Sequence, residues 1–484
     1  MLFTTLDFLL FMAAALGVFA LVPKPWRSAW LLAASAGFYA SFGPSNLAFL
    51  AGIILVAWLA GAAIHRSTGA AARRGALAAG LVLILGSLFT LKFHDFLAGE
   101  AEALAGGSMT LPRLGVAAPV GFSFYAFAAA SYVIDAYRSP RTGHEGLQPV
   151  ALFLAWFPKI LAGPIERAPA FLAQLPDRLR LDPILAATGL QLILWGLVKK
   201  VLVADNLAPV VDGAFAIVPY ASPMELLIAV YFFAFQIYCD FSGYSDMAIG
   251  LSLLFGIRLM ENFRRPYLAV STAEFWSSRW HVSLGHWFRD YLYIPLGGGQ
   301  AGTLRRYVNL MLVFLVSGLW HAGLGYGVGW SFLAWGALNG LYGWAGLASR
   351  GLWRRAGAAL PAVGDSGAWR AARIVLTFHL ILVSWIFFRA DSVGQALTVI
   401  RRIGDALPSL PGLVADYPFT GDHAIGAVLI LLLLAIEVAD ERRPLLDRLA
   451  TAPRAVRWAS LYAGIFALVL FGRWRVDGFL YMQF

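Results

Sequence analysis

Charged and titratable side chains are expensive inside apolar segments, so wherever such segments hold them they are candidates for function. Three stretches of this sequence do so. The first is Phe235-Gln236-Ile237-Tyr238-Cys239-Asp240-Phe241-Ser242-Gly243-Tyr244-Ser245-Asp246. Asp240 and Asp246 are six positions apart, so a straight helix points them about 120° away from each other. The apolar run around them, 224–256, is too long for one straight crossing, and a break near Gly243 would bring the carboxylates together. Capping of a broken helix, or pairing with Arg, accounts for them as well.

The second stretch covers 262–300. Ser271 followed by Glu274 is a capping-box pattern, so a helix starts there. Along it Trp276, Trp280 and Trp287 fall on one broad side, while Ser278, His281, Gly285 and Arg289 share another. This division predicts a helix lying along the interface or at a cavity mouth, with its tryptophans in the headgroup region. His281 sits on the polar stripe, and His286 falls between the two sides. The third stretch is Met311-Leu-Val-Phe-Leu-Val-Ser317-Gly-Leu-Trp320-His321. His321 ends an uncharged run that begins after Arg306. Gly323, Gly325, Gly327 and Gly329 follow it, a density that predicts close backbone packing or a cavity wall.

The chemistry open to these groups is narrow. The sequence has no Gly-x-x-x-x-Gly-Lys-[Ser/Thr] and no His-Glu-x-x-His, and no Gly-x-Ser-x-Gly elbow. Cys239 is the single cysteine, which rules out an intrachain disulfide and a Cys-rich metal site. Acyl transfer from a thioester to a hydroxyl needs less: a base for the hydroxyl proton and donors for the developing oxyanion. A neutral imidazole is tolerable in an apolar setting, and its ordinary pKa of about 6.5 suits that base. On the residues alone His321 reads equally well as a satisfied core histidine.

The elements that would position these groups are membrane helices. Of 484 residues, 60% are hydrophobic and 13% charged, against about 25% charged in ordinary soluble domains. Mean hydropathy is +0.71. Segments such as 226–235 and 428–436 are continuously apolar, which fits spanning helices and not the alternation of a barrel. About eleven to thirteen helices are expected, one of them at 149–163. The chain reads as one all-α polytopic domain over 1–484, with N-terminal helices in 1–110, a core at about 115–348 and C-terminal helices in 372–484. The first apolar segment lacks a basic n-region and reads as a retained helix. The net charge of +10 lies in short loops, as the positive-inside rule expects, and argues against nucleic acid. Basic loops alternate with neutral or acidic ones over the first third, placing the N-terminus outside. Stretches 350–371, 400–423 and 439–456 read as surface connections.

Several motifs run in order along nearly the whole chain: Pro-Val-Gly-Phe-Ser-Phe-Tyr at 119–125, Tyr-Val-Ile-Asp-Ala-Tyr-Arg at 132–138, and Phe-Pro-Lys-Ile-Leu-Ala-Gly-Pro-Ile-Glu-Arg at 157–167. They continue with 236–246, Asn-Phe-Arg-Arg-Pro-Tyr at 262–267, and Phe-Trp-Ser-Ser-Arg-Trp-His-Val-Ser-Leu at 275–284. Then come 287–298, Ser-Gly-Leu-Trp-His at 317–321, Trp-Ile-Phe-Phe-Arg-Ala at 385–390 and Phe-Leu-Tyr-Met-Gln-Phe at 479–484. Together they resemble the membrane-bound O-acyltransferase family, in its branch that acetylates exported polysaccharides such as alginate and cellulose. Ala126 and Ala128 stand where relatives often carry Thr and Gln, and Ala322 where Gly is usual. These departures leave the acyl chain length open.

The resemblance implies a ring of helices around a tunnel, with re-entrant or interfacial helices. It implies that His321 is the catalytic histidine and that His281 holds the second polar position of the tunnel. Asp240, Tyr244 and Asp246 would line or brace the tunnel, with Trp320, Ser283 and Asn262 along it. Lys159, Glu166, Arg167 and Arg289 would lie near the donor entrance. No metal and no permanently bound cofactor are implied. The donor would be acetyl-CoA. The partner would be a periplasmic SGNH-type transferase or a small acyl-shuttle protein, and the final acceptor a polysaccharide hydroxyl. The location would be the bacterial inner membrane. Two other readings are D-alanyl or other acyl transfer by another branch of the family, and a non-catalytic sugar transporter. The transporter reading expects repeat symmetry, which the sequence lacks.

Overall fold

The computed structural model describes residues 1–106, 108–300, 302–322, 329–359, 366–443, 448, 452–474 and 478–480. Gly323, Gly325, Gly327 and residues 481–484 lie outside the described residues, as do parts of the connections at 350–371 and 439–456. The described residues contain helices and no strand. Seven helices are long and apolar enough to cross a membrane, among them Pro44–Arg66, Ala70–Leu104, Pro223–Leu254 and Gly421–Arg442; Leu6–Leu21 is a shorter apolar one. Their outward residues are themselves apolar: Leu55 and Leu59, Leu431 and Leu432, and Val469, Leu470 and Phe471 are all exposed. A helix that is apolar on its exposed face as well as its packed one suits lipid.

The chain divides into two compact units. The first comprises Met1–Leu197, Tyr244–Glu261 and Val476–Phe484. At its centre Phe122–Arg138 is buried along most of its length. Two glycines admit the neighbouring helices: a Cβ at Gly61 would come within 2.8 Å of the Tyr132 ring, and one at Gly80 within 2.8 Å of Ala60 Cβ. The helix expected at 149–163 stops at Ala155, and the chain continues in turns. Pro158 and Pro164 lack the N–H that would extend the ladder.

The second unit comprises Val198–Gly243 and Asn262–Arg475. Thr303–His321 packs against Trp330–Ala359 through glycine. A Cβ on Gly318 would lie 2.4 Å from the Phe332 carbonyl oxygen, and one on Gly336 2.5 Å from that of Phe314. This approach sets His321 against the first turns of the second helix. At one end of the unit Glu441 pairs with Arg279 at 2.8 Å and Arg265 at 2.7 Å. At the far end of Gly421–Arg442, Asp422 pairs with Arg473 at 2.5 Å.

Two expectations are corrected. Pro223–Leu254 is one uninterrupted helix of 32 residues, so there is no break at Gly243. An opened turn would leave backbone groups unsatisfied in apolar surroundings, whereas the continuous ladder satisfies them; Asp240 and Asp246 stay about 120° apart. The stretch after Ser271 is not one helix either. It makes a short turn at Thr272–Glu274 and a wide turn at Phe275–Arg279, and restarts at Val282–Phe288. Ser271 does cap the Glu274 N–H at 3.1 Å, but the Glu274 carboxylate accepts from Val270. Trp280 and Trp287 are 2% and 7% exposed, packed inside the protein and not at an interface.

Candidate active site

His321 closes its helix with its ring turned back on the preceding turn. Its Nδ1 lies 2.7 Å from the Ser317 carbonyl oxygen. A carbonyl only accepts, so Nδ1 carries the proton and the lone pair of the neutral ring is on Nε2. The imidazole is 3% exposed. Around it stand Trp320 (ring centroids 4.7 Å apart), Trp335 (5.3 Å), Phe388 (5.3 Å) and Phe332 (6.5 Å). A base with Nδ1 tied to a carbonyl, so that the lone pair is on Nε2, in an aromatic enclosure, is an arrangement suited to general-base catalysis.

His281 reaches the same place from a different element. Its ring lies 6.1 Å from that of Trp320, so one indole touches both imidazoles. Phe241 packs edge-on at 4.7 Å, and Phe263 stacks at 6.5 Å. His281 lies outside the seven candidate spans. Burial first, and then the repulsion it would meet from His321 if both rings were protonated, hold its imidazole well below the ordinary histidine value, so it is a neutral ring.

The backbone of His281 is left-handed, with φ 43° and ψ 52°, a region few side chains tolerate. Asn262 holds this turn. Its carbonyl accepts the Val282 N–H at 3.0 Å. Its side-chain oxygen accepts the Ser283 N–H at 3.2 Å and the Ser283 hydroxyl at 2.9 Å. Asn262 and Ser283 are buried.

Asp240 is fixed by a buried ion cluster. Lys200 reaches it at 2.7 Å and Asp205 at 2.9 Å. Its neighbour Phe241 is the ring that touches His281, which ties the cluster to the site. Lys200 and Asp205 escaped the sequence reading. The available signal was the pair Lys199-Lys200 inside an apolar run, where two cations call for partners.

The structure thus brings His321, His281 and Trp320 together, with Asn262 and Ser283 beneath and Asp240 behind. The remaining candidates are placed as follows. Arg289 is exposed and pairs with Asp290 at 2.8 Å. In the first unit, the Tyr244 hydroxyl donates to the Pro158 carbonyl at 3.1 Å, and Asp246 is half-buried. Lys159 lies over the ring of Phe153 at 4.6 Å. Burial lowers its ammonium to about 8 against the opposing pull of Glu166. Glu166 is buried and accepts the Met260 N–H, and Arg167 is half-buried. Trp335, Phe332 and Phe388, which enclose His321, were not singled out from sequence, because aromatic residues in apolar helices carry no mark of which neighbour they face.

A separate cleft of about 600 Å³ opens in the second unit, lined by Pro209, Met224, Glu225, Asp416, Tyr417 and His423 among others.

The sequence model of the membrane-bound O-acyltransferase family matches residues 126–381, which includes both histidines. The chain is 38% identical over 393 residues to a protein of Azotobacter vinelandii named "Probable alginate O-acetylase AlgI", covering 80% of this chain and 74% of that one. It is 33% identical over 398 residues to the peptidoglycan O-acetyltransferase of Helicobacter pylori, covering 77% and 72%. It is 25% identical over 301 residues to the teichoic acid D-alanyltransferase of Streptococcus thermophilus, covering 56% and 68%. With a family match over more than half its length, apolar helices of spanning length and a buried histidine pair around one indole, the chain belongs to the membrane-bound O-acyltransferase family and is a multi-pass membrane O-acyltransferase.

Proposed function

We propose that this protein takes an acetyl group from acetyl-CoA on the cytoplasmic side and passes it, through an extracytoplasmic partner, to hydroxyls of an exported polysaccharide in the bacterial inner membrane. The observation that carries the reading is the His321 ring: Nδ1 donates to the Ser317 carbonyl at 2.7 Å, which puts the basic lone pair on Nε2. In the step, the acceptor hydroxyl oxygen attacks the thioester carbonyl carbon while its proton passes to Nε2. The carbonyl π pair moves onto oxygen. When it returns, the C–S bond breaks, and the leaving thiolate takes the proton from Nε2 as the thiol. Acetyl-CoA and alcohol become ester and CoA, with nothing left over.

The sidedness rests on charge. The end of the second unit that holds the Glu441 cluster carries Arg264, Arg265, Arg279, Arg370, Arg373, Arg442 and Arg443, a basic rim of the kind found on the cytoplasmic side and complementary to an anionic nucleotide. The other end presents Asp212, Glu225, Asp416 and Asp422 beside fewer arginines, of which Arg389 pairs with Asp212, Arg473 with Asp422, and Arg402 donates to the Val218 and Pro219 carbonyls. The polysaccharide class rests on the alginate and peptidoglycan acetylation named for two relatives. The test is CoA release from acetyl-CoA by purified protein with an acceptor partner, wild type beside His321→Ala. Loss of about 10²–10⁴-fold is expected for removal of a general base. Turnover at the wild-type rate in folded His321→Ala would overturn the assignment.

A further inference from the structure

Trp335 is 1% exposed, and its indole Nε1 finds no hydrogen-bond partner among the described residues. Buried donors are nearly always satisfied, and leaving one unmade is destabilising, so an orphan asks for an explanation. The Trp385 Nε1 is orphaned too, but of these two indoles it is Trp335 whose ring has a contact with that of the proposed base. The Trp335 ring is 5.3 Å from His321, inclined at 66°. It is held on two further sides, edge-on to Trp276 at 5.3 Å and stacked with Trp385 at 6.3 Å. The backbone beneath it is fixed by the Gly318 and Gly336 contacts with the facing helix. A rigid, buried indole N–H whose ring centroid lies 5.3 Å from that of the base is a donor of the kind that a developing oxyanion needs. It costs no reorganisation when the charge appears.

We infer that the Trp335 indole N–H is a catalytic donor that stabilises the oxyanion formed on the acyl carbonyl during transfer at His321. The proposal rests on the acyl-transfer reading above and adds the group that receives the negative charge. In the step already written, the π pair that moves onto the carbonyl oxygen is met by Nε1–H of Trp335, which releases its hydrogen bond when that pair returns and the C–S bond breaks. Indole donates and does not accept, so no proton is exchanged with it.

The experiment compares Trp335→Phe and Trp335→His with wild type, using acetyl-CoA and the partner acceptor, after elution as a single folded species in detergent. Phenylalanine keeps an aromatic ring and removes the donor. The expected result is a fall in kcat of about 10²–10³-fold, as for loss of one oxyanion donor, with KM for acetyl-CoA unchanged. Histidine, which offers a ring N–H, is expected to recover part of the lost kcat. Turnover of Trp335→Phe within about threefold of wild type would overturn the proposal. So would equal losses in both variants with KM raised, which is the mark of disturbed packing. The two readings fail separately. Full activity in His321→Ala sinks the base, whereas an active Trp335→Phe beside an inactive His321→Ala sinks only the oxyanion donor.

Discussion

The side-chain oxygen of Asn262 accepts both the backbone N–H and the hydroxyl of Ser283, at 3.2 and 2.9 Å, and so holds the turn on which His281 stands. Asn262→Ala removes the acceptor of two buried donors. Unfolding in detergent is expected to be easier by about 1–3 kcal/mol, with turnover reduced because His281 is no longer fixed beside Trp320. Asn262→Asp keeps an accepting oxygen and should sit between wild type and alanine in both measurements. Equal stability of Asn262→Ala and wild type in thermal melts would show the clasp to be dispensable.

Lys200 balances two buried carboxylates. Lys200→Met removes the cation that pairs with Asp205 and Asp240, and breaking a buried pair in this way typically costs about 3–5 kcal/mol. Adding Asp240→Asn removes one of the two buried carboxylate charges. The double variant is therefore expected to be more stable than Lys200→Met alone, which a double-mutant cycle on melting temperatures would read. Strict additivity of the two changes would contradict the pairing.

Gly318 and Gly336 carry no chemistry yet hold the helices of His321 and Trp335 together. Either one changed to alanine drives a methyl group into a backbone carbonyl at about 2.5 Å. Both variants should lose turnover together with stability. Gly346, whose added Cβ would meet nothing within 4 Å, should tolerate alanine with activity intact. Full activity in both Gly318→Ala and Gly336→Ala would mean that the close approach is not needed.

The neutral state of His281 gives stability a pH dependence. In the unfolded chain the ring takes a proton near its ordinary value of about 6.5, while in the fold it resists protonation to a lower pH. Below that ordinary value the unfolded state therefore binds more protons. The contribution of His281 to stability is fully present above about pH 6.5 and is lost as pH falls through that value toward the folded one. Melting temperatures between about pH 5 and 8 should decline on the acid side in wild type and less steeply in His281→Asn. Parallel profiles would assign the decline to other groups.

How much of this was readable beforehand differs by element. The spans were legible because a continuous apolar run in a membrane has one outcome, whereas the helix expected to reach 163 stops at Ala155, ahead of Pro158. His321 was legible as a candidate because a titratable ring stands out in an uncharged run. The 271–293 stretch misled, since the Ser271–Glu274 signal predicts where a helix begins and says nothing of how soon it ends. His281 then turns left-handed under long-range bonds from Asn262, which no local pattern carries. Lys200 and Trp335 went unread for the same reason: their importance lies in what faces them, across 40 residues for Asp240 and across a helix pair for His321.

The left-handed backbone at His281 also governs how that position can be interrogated. Alanine there deletes the imidazole and in addition puts a residue with no polar side chain where L-residues are disfavoured by roughly 1–2 kcal/mol. A weak alanine variant therefore confounds lost chemistry with a lost shape. Asparagine, aspartate and glycine sit comfortably in that conformation. Sequence drift at this site is thus filtered by geometry before it is filtered by reactivity, and asparagine is the substitution that isolates what the ring itself does.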